Sequence, residues 1–346
     1  MYRKFLGIAV VASVVAAGGS AAEARDQIRI VGSSTVYPFA TVVAERFGKT
    51  TNFKTPVIES TGSGGGLKLF CSGVGVEHPD ITNASRRIKQ SEVELCGKNG
   101  VNDVTEIKFG YDGIVIANAK SAEQAKFTKQ QIFLALAKNI PDGKGGLKEN
   151  DNIKWSEVDP SLPNKKIEVL GPPPTSGTRD AFAELALEGG CKTFDFIKAM
   201  KKTDKKKYKA VCHGVREDGA YIEAGENDVL IVRKLEANPL AYGVFGYSFL
   251  DQNADKVQGS IVEGVEPTFE SIADGEYKVS RSLYFYVKGA HVGKVPGIKE
   301  FVAEFSSEQA SGEEGYLSDR GLIPMPEAER KKFRMDGEKM ANNISF

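Results

Sequence analysis

The sequence has no excess of charge of either sign, and it has few histidines. It contains 46 lysines and arginines against 46 aspartates and glutamates, so its formal net charge is zero. A chain without a basic excess lacks the electrostatic signature of a nucleic-acid binder, and we expect no nucleic-acid partner. Its three histidines, His78, His213 and His291, are scattered, and no two cysteines have the spacing of common zinc sites. We therefore expect no metal site.

Long hydrophobic runs are also absent. The apolar stretch from Phe5 to Ala17 follows Arg3 and Lys4 and is shorter than the roughly 18 residues of a membrane-spanning helix. Small residues follow it and end at Ala22-Glu23-Ala24, as in secretory signals. The sequence therefore predicts a signal peptide over residues 1–24 and a periplasmic location for the mature protein. No cysteine lies near the predicted cleavage site, so we expect no lipid anchor.

Motifs of hydrolytic and phosphate-transfer enzymes are missing as well. No segment reads G-x-S-x-G, and none reads HExxH. The stretch from Gly62 to Lys68 is rich in glycine, but it lacks the Gly-Lys-Ser/Thr ending of a P-loop. These absences predict a protein without catalytic residues and without a cofactor, and they favour binding over catalysis.

The four cysteines are an even number, as is typical of an exported, disulfide-bonded chain. Pairing them in sequence order closes two local loops, Cys71–Cys96 and Cys191–Cys212. A zinc site is the competing interpretation, but only the three histidines are available to complete it. We therefore predict two disulfides.

Three loops rich in glycine and hydroxyl side chains stand at predicted helix starts. They are residues 32–38, 61–66 and 171–179, called here the first, second and third loops. The first amides of a helix have no partner inside it and attract anions, and Arg179 adds a charged fork suited to tetrahedral oxyanions. One such loop is typical of an ordinary capped helix. Three that converge could replace the hydration shell of a small anion.

Strand-like apolar runs alternate with helical stretches along the chain. The runs are Ile28–Val31, Val57–Ile58, Ile107–Phe109, Gly113–Ala117, Ile167–Leu170, Val229–Val232 and Leu283–Val287. This alternation predicts an α/β architecture with largely parallel sheets, in which loops after the strands form the binding crevice. Two extended segments, Phe109–Ile116 and Tyr284–Val287, are interpreted as crossings between two lobes joined by a hinge.

Several motifs, in this order along the chain, carry a resemblance to a known family. They are the first and second loops, Asp80–Arg86, Trp155–Pro160 and the third loop, with Gly315–Leu317 and Gly321–Pro324 near the C-terminus. Together they resemble the PstS family, the periplasmic phosphate-binding proteins of ABC importers. The resemblance implies a two-lobed type II periplasmic binding protein fold with a hinge, which closes on inorganic phosphate and passes it to a membrane permease.

The resemblance covers the mature chain and implies how it divides into lobes. We expect residues 25–110 to form the first part of lobe I, residues 111–283 to form lobe II, and residues 284–346 to return to lobe I. A hinge protein that opens and closes against a permease needs no oligomer, so we expect a monomer.

By position, the resemblance implies phosphate contacts in all three loops and after Asp80–Ala84. The expected donors are Ser34, Thr35, Ser63, Ser85, Ser176, Gly177 and Thr178. Ser85 stands where the family pattern has the aspartate that accepts the phosphate proton, and Pro172 stands where the pattern has an arginine. Arg86 and Arg179 lie beside the affected loops, and we expect them to supply the charge as bidentate partners.

A carboxylate acceptor would separate protonated phosphate from sulfate, because sulfate has no proton to donate. Asp112 and Asp180 are the candidates for this acceptor. Two alternatives remain: a binding protein for another tetrahedral oxyanion such as sulfate, and a secreted phosphatase-like enzyme. The lysine-rich segment 198–209 is interpreted as a solvated excursion, with docking to an acidic partner as its alternative.

Overall fold

A computed structural model describes residues 25–225 and 228–345. The predicted signal peptide lies outside these residues. The described strands are β1 (Arg29–Gly32), β2 (Val57–Ser60), β3 (Ile81–Ala84), β4 (Val104–Ala119), β5 (Lys126–Phe127), β6 (Asn139–Pro141), β7 (Leu147–Glu149), β8 (Val169–Gly171), β9 (Tyr221–Glu223), β10 (Tyr242–Gly246), β11 (Val257–Gly259), β12 (Ile261–Val262) and β13 (Ser280–Lys288).

Helices alternate with these strands. The α-helices are α1 (Tyr37–Thr50), α2 (Ser63–Phe70), α3 (Gln90–Lys98), α4 (Lys129–Leu136), α5 (Trp155–Val158), α6 (Gly177–Phe182), α7 (Glu188–Cys191), α8 (Asp195–Thr203), α9 (Lys205–His213), α10 (Asp228–Ala237), α11 (Tyr247–Gln252), α12 (Phe269–Ala273), α13 (Ile298–Phe305), α14 (Glu308–Ser311) and α15 (Glu327–Lys339). A π-helical turn, Ala183–Leu187, joins α6 to α7. Within residues 25–225 and 228–345, none of the helices combines the length and the apolar character needed to cross a membrane.

The first sheet has the strand order β2-β1-β3-β13-β4. β1 runs parallel to β2 and to β3, whereas β13 runs antiparallel to β3 and to β4. The carboxyl ends of parallel strands meet at one edge of a sheet. The first loop after β1, the second loop after β2 and the Ser85-Arg86 segment after β3 therefore emerge at the same edge.

β4 takes part in both large sheets. Its residues from Val104 to Gly113 pair with β13, and those from Ile114 to Ala119 pair with β10 and β11. The second sheet continues in the order β4-β10-β8-β9, with β8 parallel to both of its neighbours. The third loop leaves this sheet at the end of β8. The predicted crossing Phe109–Ile116 lies in the part of β4 that passes from one sheet to the other.

Each large sheet carries a hydrophobic core rich in aromatic rings. In the first core, Phe109 packs on Phe305 with their ring centroids 4.7 Å apart. In the second core, Trp155 lies between Phe127, at 4.7 Å, and Tyr242, at 5.3 Å. Burial of such rings stabilises each core beyond the area that they remove from water.

Two expectations about the strands are wrong. The sheets are not largely parallel, because β10, β11 and β13 all run antiparallel to β4. The segment Val229–Val232 lies in helix α10, not in a strand. Ile231 and Leu235 are buried, one helical turn apart, whereas Leu230 is 45% exposed. The segment consists of four consecutive apolar residues, two of which face solvent. The helical period of its buried side chains is therefore not visible in the sequence.

Both predicted disulfides are present. Cys71–Cys96 joins the end of α2 to α3, and Cys191–Cys212 joins the end of α7 to α9. The second bridge therefore closes the base of a hairpin formed by α8 and α9, called here the α8–α9 hairpin.

We expect the double substitution Cys191→Ser and Cys212→Ser to lower the free energy of unfolding by about 3 kcal/mol, since a bridge closing a loop of roughly twenty residues restricts the unfolded chain by that amount. The bridged cysteines are separated by 21 positions in the sequence. Urea denaturation of the wild type and the variant measures the effect, with Cys71→Ser and Cys96→Ser as the comparison. An unchanged unfolding midpoint would show that the hairpin folds independently of its bridge.

Candidate anion-binding site

The first loop turns the chain from β1 into α1. Ser33 is buried, and its Oγ accepts a hydrogen bond from the backbone N–H of Val36 at 3.3 Å. Thr35 is also buried, and its Oγ1 accepts a hydrogen bond from Nη2 of Arg281 at 2.6 Å. Ser34 is half-buried. Of the two predicted donors in this loop, Thr35 is therefore the one with a cationic partner.

The second loop begins α2, and its serine is tied to the end of β3. The backbone N–H of Ser85 donates to Oγ of Ser63 at 3.0 Å, and the two hydroxyl oxygens lie 3.1 Å apart. The structure thus brings together two residues that were predicted from separate motifs.

Helix α2 lies directly against the start of the first loop. A Cβ placed on Gly66 would stand 2.4 Å from Cα of Gly32 and 2.7 Å from Oγ1 of Thr82. Both distances are shorter than a van der Waals contact, so only glycine fits at position 66 without displacing the helix. This close approach sets the spacing between the first and second loops.

Arg86 is held by a carboxylate on α3. Its guanidinium donates to both oxygens of Glu92, at 2.9 and 2.7 Å, and to the carbonyl of Arg87 at 3.1 Å. Burial alone would raise the pKa of Glu92, but the hydrogen bonds from Arg86 and from the backbone of Lys89 bring it below its ordinary value. The charge of Arg86 is therefore balanced within this pair, although its side chain borders the second loop.

The third loop leads from β8 into α6. Ser176 caps the helix, and its Oγ accepts from the backbone N–H of Thr178 at 3.2 Å. Arg179 is buried against the loop's own backbone, where its Nη1 donates to the carbonyl of Pro172 at 3.3 Å. Its guanidinium carbon lies 4.1 Å from the ring centre of Tyr221, whose hydroxyl donates to the same carbonyl at 2.9 Å. Arg179 thus braces the third loop from within.

Arg281 is a charged residue that no sequence motif marks. It lies on β13 opposite Asp112 of β4, and its side chain is 9% exposed. Its guanidinium donates to Thr35 at 2.6 Å, to Oδ2 of Asp112 at 3.3 Å and to Oε2 of Glu184 at 2.5 Å. It therefore connects the first loop, the strand shared by both sheets and the π-helical turn that follows the third loop. Asp112 and Arg281 are 169 positions apart, so only the strand pairing reveals the contact.

The two predicted proton acceptors differ in their surroundings. The side chain of Asp112 is 15% exposed and is bonded to Arg281. Burial raises the pKa of Asp112, and the charge of Arg281 opposes this shift. Asp180 lies on the surface of α6, where partial burial and the nearby Glu184 raise its pKa. Of the two predicted acceptors, Asp112 is therefore the one in contact with the Thr35–Arg281 pair.

Two polar clusters are thus formed from residues that are far apart in the sequence. One joins Ser63 to Ser85, and the other joins Arg281 to Thr35, Asp112 and Glu184. Among the described residues, the other predicted site residues make no hydrogen bond to either cluster. These residues are Ser34, Arg86, Ser176, Gly177, Thr178, Arg179 and Asp180.

A serine–histidine pair lies outside these clusters. Oγ of Ser72 is 2.8 Å from Nδ1 of His78 and 2.6 Å from the carbonyl oxygen of Leu69. The carbonyl can only accept, so the single hydroxyl proton goes to Leu69, and Nδ1 of His78 must donate to the serine oxygen. An activated nucleophile needs the opposite arrangement, with an unprotonated base facing its hydroxyl. In the described part of the chain, no three His, Cys, Asp or Glu side chains form a metal-binding group.

Comparison with known proteins identifies the family of this chain. A model of the PBP superfamily domain matches residues 18–309. The chain belongs to the PBP superfamily. This PBP-superfamily chain is 30% identical to Protein SphX of Synechococcus elongatus, over 93% of its own length and 84% of the relative. It is 28% identical to Phosphate-binding protein PstS of Staphylococcus saprophyticus, over 93% and 88% of the two chains.

Solved structures of the PBP type agree with these relatives. The crystal structure of a possible phosphate binding protein from Planctomyces limnophilus superposes with a TM-score of 0.71 at 25% identity, covering 91% of this chain and 98% of that one. PstS from Borrelia burgdorferi shares the fold, with a TM-score of 0.56 at 18% identity over 87% and 100% of the chains. The resemblance to the PstS family and the two-lobed α/β fold class are confirmed.

We expect Gly66→Ala to weaken the binding of a small tetrahedral anion at this site by at least about tenfold, because the added methyl group pushes α2 and the second loop away from the first loop. Gly65→Ala is the matched control, since a Cβ there meets no atom closer than 3.5 Å. Isothermal titration of both variants measures the difference. Equal affinities would mean that the Gly32–Gly66 contact does not set the geometry of the site.

Proposed function

We propose that the chain is a periplasmic solute-binding protein that captures inorganic phosphate between two lobes and delivers it to the permease of an ABC importer. The observation that carries this proposal is Arg281, a single guanidinium in contact with both the first loop and the turn after the third loop. Relatives named phosphate-binding proteins support phosphate as the ligand. The protein acts as a monomer on this proposal.

The lobes are proposed to divide at residues 110/111 and 283/284, as the resemblance implies. The hydrophobic cores support the first boundary and place the second slightly earlier, because Leu283 already packs in the first core. The first core takes its buried members from the ranges 28–109 and 283–322, and the second takes its members from 111–279. Two later residues, Ile323 and Met325, also pack in the second core, so the returning chain touches lobe II there.

Hydroxyl and backbone donors are proposed to surround the phosphate oxygens. The contacts are Ser34 and Thr35 from the first loop, Ser63 and Ser85 beside the second, and Ser176, Gly177 and Thr178 from the third. Helix starts support this role, since the first turn of a helix has N–H groups without carbonyl partners inside the helix and carries a partial positive charge. A phosphate held this way exchanges its hydration shell for fixed donors.

The positive charge of the site is proposed to come from Arg281. Arg86 is paired with Glu92, and Arg179 is bonded to the backbone of the third loop, so both guanidinium groups already have partners. Arg86 and Arg179 stay predictions as direct phosphate contacts. Arg281 has partners too, but they are the side chains that line the candidate site.

Phosphate is proposed to compete with Glu184 for Arg281. The Glu184 carboxylate bonds to Nη1 of Arg281, and its side chain is 45% exposed. A dianion cannot share a guanidinium with two carboxylates without strong repulsion, so Glu184 moves towards solvent when phosphate arrives. The ligand then replaces one anion with another at the same cation.

Closure of the lobes follows from this distribution of contacts. Phosphate favours the closed state because only there can it bind groups from both lobes. In the open state it binds one lobe, and those contacts are also made in the closed state. The first and second loops belong to lobe I on this proposal, and the third loop belongs to lobe II. Arg281 lies at the crossing between them.

Asp112 is proposed to accept the proton of monohydrogen phosphate. Its carboxylate contacts Arg281, which contacts Thr35, so it lies beside the ligand position. Sulfate offers no proton and would leave this acceptor facing an oxygen anion, which costs binding energy. This role would compensate for Ser85, which stands where the family pattern has an aspartate.

We expect Arg281→Gln to weaken phosphate binding by at least 1.4 kcal/mol, about tenfold, because the site loses its charged fork. Arg281→Lys keeps the charge without the bidentate geometry, and we expect an intermediate loss. Glu184→Gln removes the competing anion, so we expect tighter binding than in the wild type. Isothermal titration of the mature, phosphate-stripped protein measures all three affinities.

Arg86→Gln and Arg179→Gln are measured alongside as comparisons. A loss in either variant that matches or exceeds the loss in Arg281→Gln would assign the charge to that residue instead. Thermal denaturation of each variant separates a lost ligand contact from a weakened fold, since Arg179 also braces the third loop.

Titration with sulfate tests the role of Asp112. Sulfate does not change its charge between about pH 8 and about pH 4, so any change reports on the protein. Because the pKa of Asp112 is raised by burial, its carboxylate becomes protonated at a higher pH than an ordinary aspartate. We expect sulfate binding to strengthen as the pH falls through this pKa, because a protonated carboxyl donates to the anion.

Asp112→Asn should bind sulfate at every pH in this range, and Asp180→Asn, the matched control, should behave like the wild type. Comparable binding of phosphate and sulfate by the wild type at about pH 8 would instead favour a general oxyanion-binding protein. Release of phosphate from a phosphate monoester by the purified chain would favour the phosphatase-like alternative.

A further inference from the structure

The α8–α9 hairpin presents the densest group of lysines in the chain. Its two helices, Asp195–Thr203 and Lys205–His213, carry seven lysines and one aspartate, Asp195, and Asp204 lies between the helices. Ile197, Tyr208 and Val211 are buried beneath them. The lysines themselves are exposed, and the Cys191–Cys212 bridge closes the base of the hairpin. The charge is therefore displayed on a stapled, folded element and not on a loose loop.

Six of these lysines form what we call the basic face. They are Lys198, Lys202, Lys205, Lys206, Lys207 and Lys209. The seventh, Lys201, bonds to Glu188, which also binds Lys192 and His213. Among the residues that the structure describes, no carboxylate lies within salt-bridge distance of a basic-face lysine. The whole chain is neutral, so this concentration of charge is local.

Three lysines of the basic face stand where they do not help α9 to fold. Lys205, Lys206 and Lys207 occupy the first turn of α9, and no acidic residue stands in that turn. The N-terminus of a helix carries a partial positive charge, so cations there are unfavourable, and like charges on neighbouring turns repel each other. Asp204 caps the helix by accepting from the backbone N–H of Lys207 at 2.9 Å, which offsets part of this cost. The stability of α9 therefore does not explain why these three lysines stand in its first turn.

We propose that the basic face binds an anionic lipid membrane surface. Its cations are all lysines, which attract anions as point charges without the planar recognition of arginine. No large apolar side chain is exposed between residues 195 and 213, so the face has nothing to insert into a bilayer or to stack on a base. Such a surface suits many diffuse negative charges. The choice of a membrane over an acidic protein rests on the proposed delivery of phosphate to a permease, which lies in a membrane.

Sedimentation with lipid vesicles tests this proposal. The mature, disulfide-bonded protein is mixed with phosphatidylcholine vesicles that contain about one third phosphatidylglycerol, and with vesicles of phosphatidylcholine alone. Each lysine near an anionic membrane contributes roughly fivefold to the partition coefficient. We expect binding to the anionic vesicles only, and its loss in about 0.5 M sodium chloride, where the Debye length is under about 5 Å.

Substitution of the six basic-face lysines by glutamine should lower the partition coefficient at least about tenfold. The matched control replaces six exposed lysines on separate elements, which are Lys49, Lys98, Lys144, Lys234, Lys256 and Lys331. It has the same net charge as the first variant but keeps the basic face. We expect it to bind vesicles like the wild type.

An equal loss in both variants would overturn the proposal, since net charge alone would then explain binding. Binding to polyglutamate without binding to anionic vesicles would also overturn it, in favour of an acidic protein partner. Phosphate titration of the basic-face variant keeps this test apart from the proposed function. Unchanged phosphate affinity with lost vesicle binding supports the proposal, and vesicle binding is read out whether or not the chain binds phosphate.

Discussion

Arg281 reaches the candidate site because β13 pairs with β4 in one particular register. The register shifts between Leu283 and Tyr284, where β4 carries Phe109 as an extra residue. An uninterrupted ladder would place Arg281 opposite Tyr111 instead of Asp112, and neighbouring positions on a strand face opposite sides of the sheet. The bulge therefore decides whether the guanidinium points towards Thr35. Phe109 is held in turn by the ring of Phe305 in the first core, so packing in the core governs the geometry of the site.

The charges around Arg281 are arranged so that an anionic ligand can replace a carboxylate of the protein. A buried guanidinium is costly unless carboxylates or other acceptors surround it, and removing one partner leaves an uncompensated charge. Asp112 and Glu184 provide that compensation. Because phosphate is proposed to take the place of Glu184, Arg281 has a partner in both states. On this proposal the more exposed carboxylate, Glu184, leaves, while Asp112 stays bonded to Arg281 and accepts the proton of the ligand.

The sequence predicted the features that depend on residues close together in the chain. It did not predict the contacts that depend on pairing between distant strands. The three loops could be predicted because glycine and hydroxyl residues cluster at helix starts, although a hydroxyl caps the helix only in the third loop, at Ser176. The disulfides could be predicted because cysteines of exported proteins pair. Arg281 could not be predicted as a site residue, since no local sequence pattern indicates the β4–β13 register. Arg179 drew attention by its place next to Ser176, but a residue three positions beyond a helix cap need not share the cap's surroundings, and here it lies on Tyr221.

The close approach of Gly66 to Gly32 has a consequence for the entropy of binding. The packing of α2 on the first loop and the Ser63–Ser85 contact hold the first and second loops directly against each other. A ligand that meets half of its donors already ordered does not have to freeze them, and this saves the conformational entropy that flexible loops would lose. The remaining freedom lies in the approach of the third loop. Affinity in this chain should then depend more on how far the lobes travel than on how well each loop is formed.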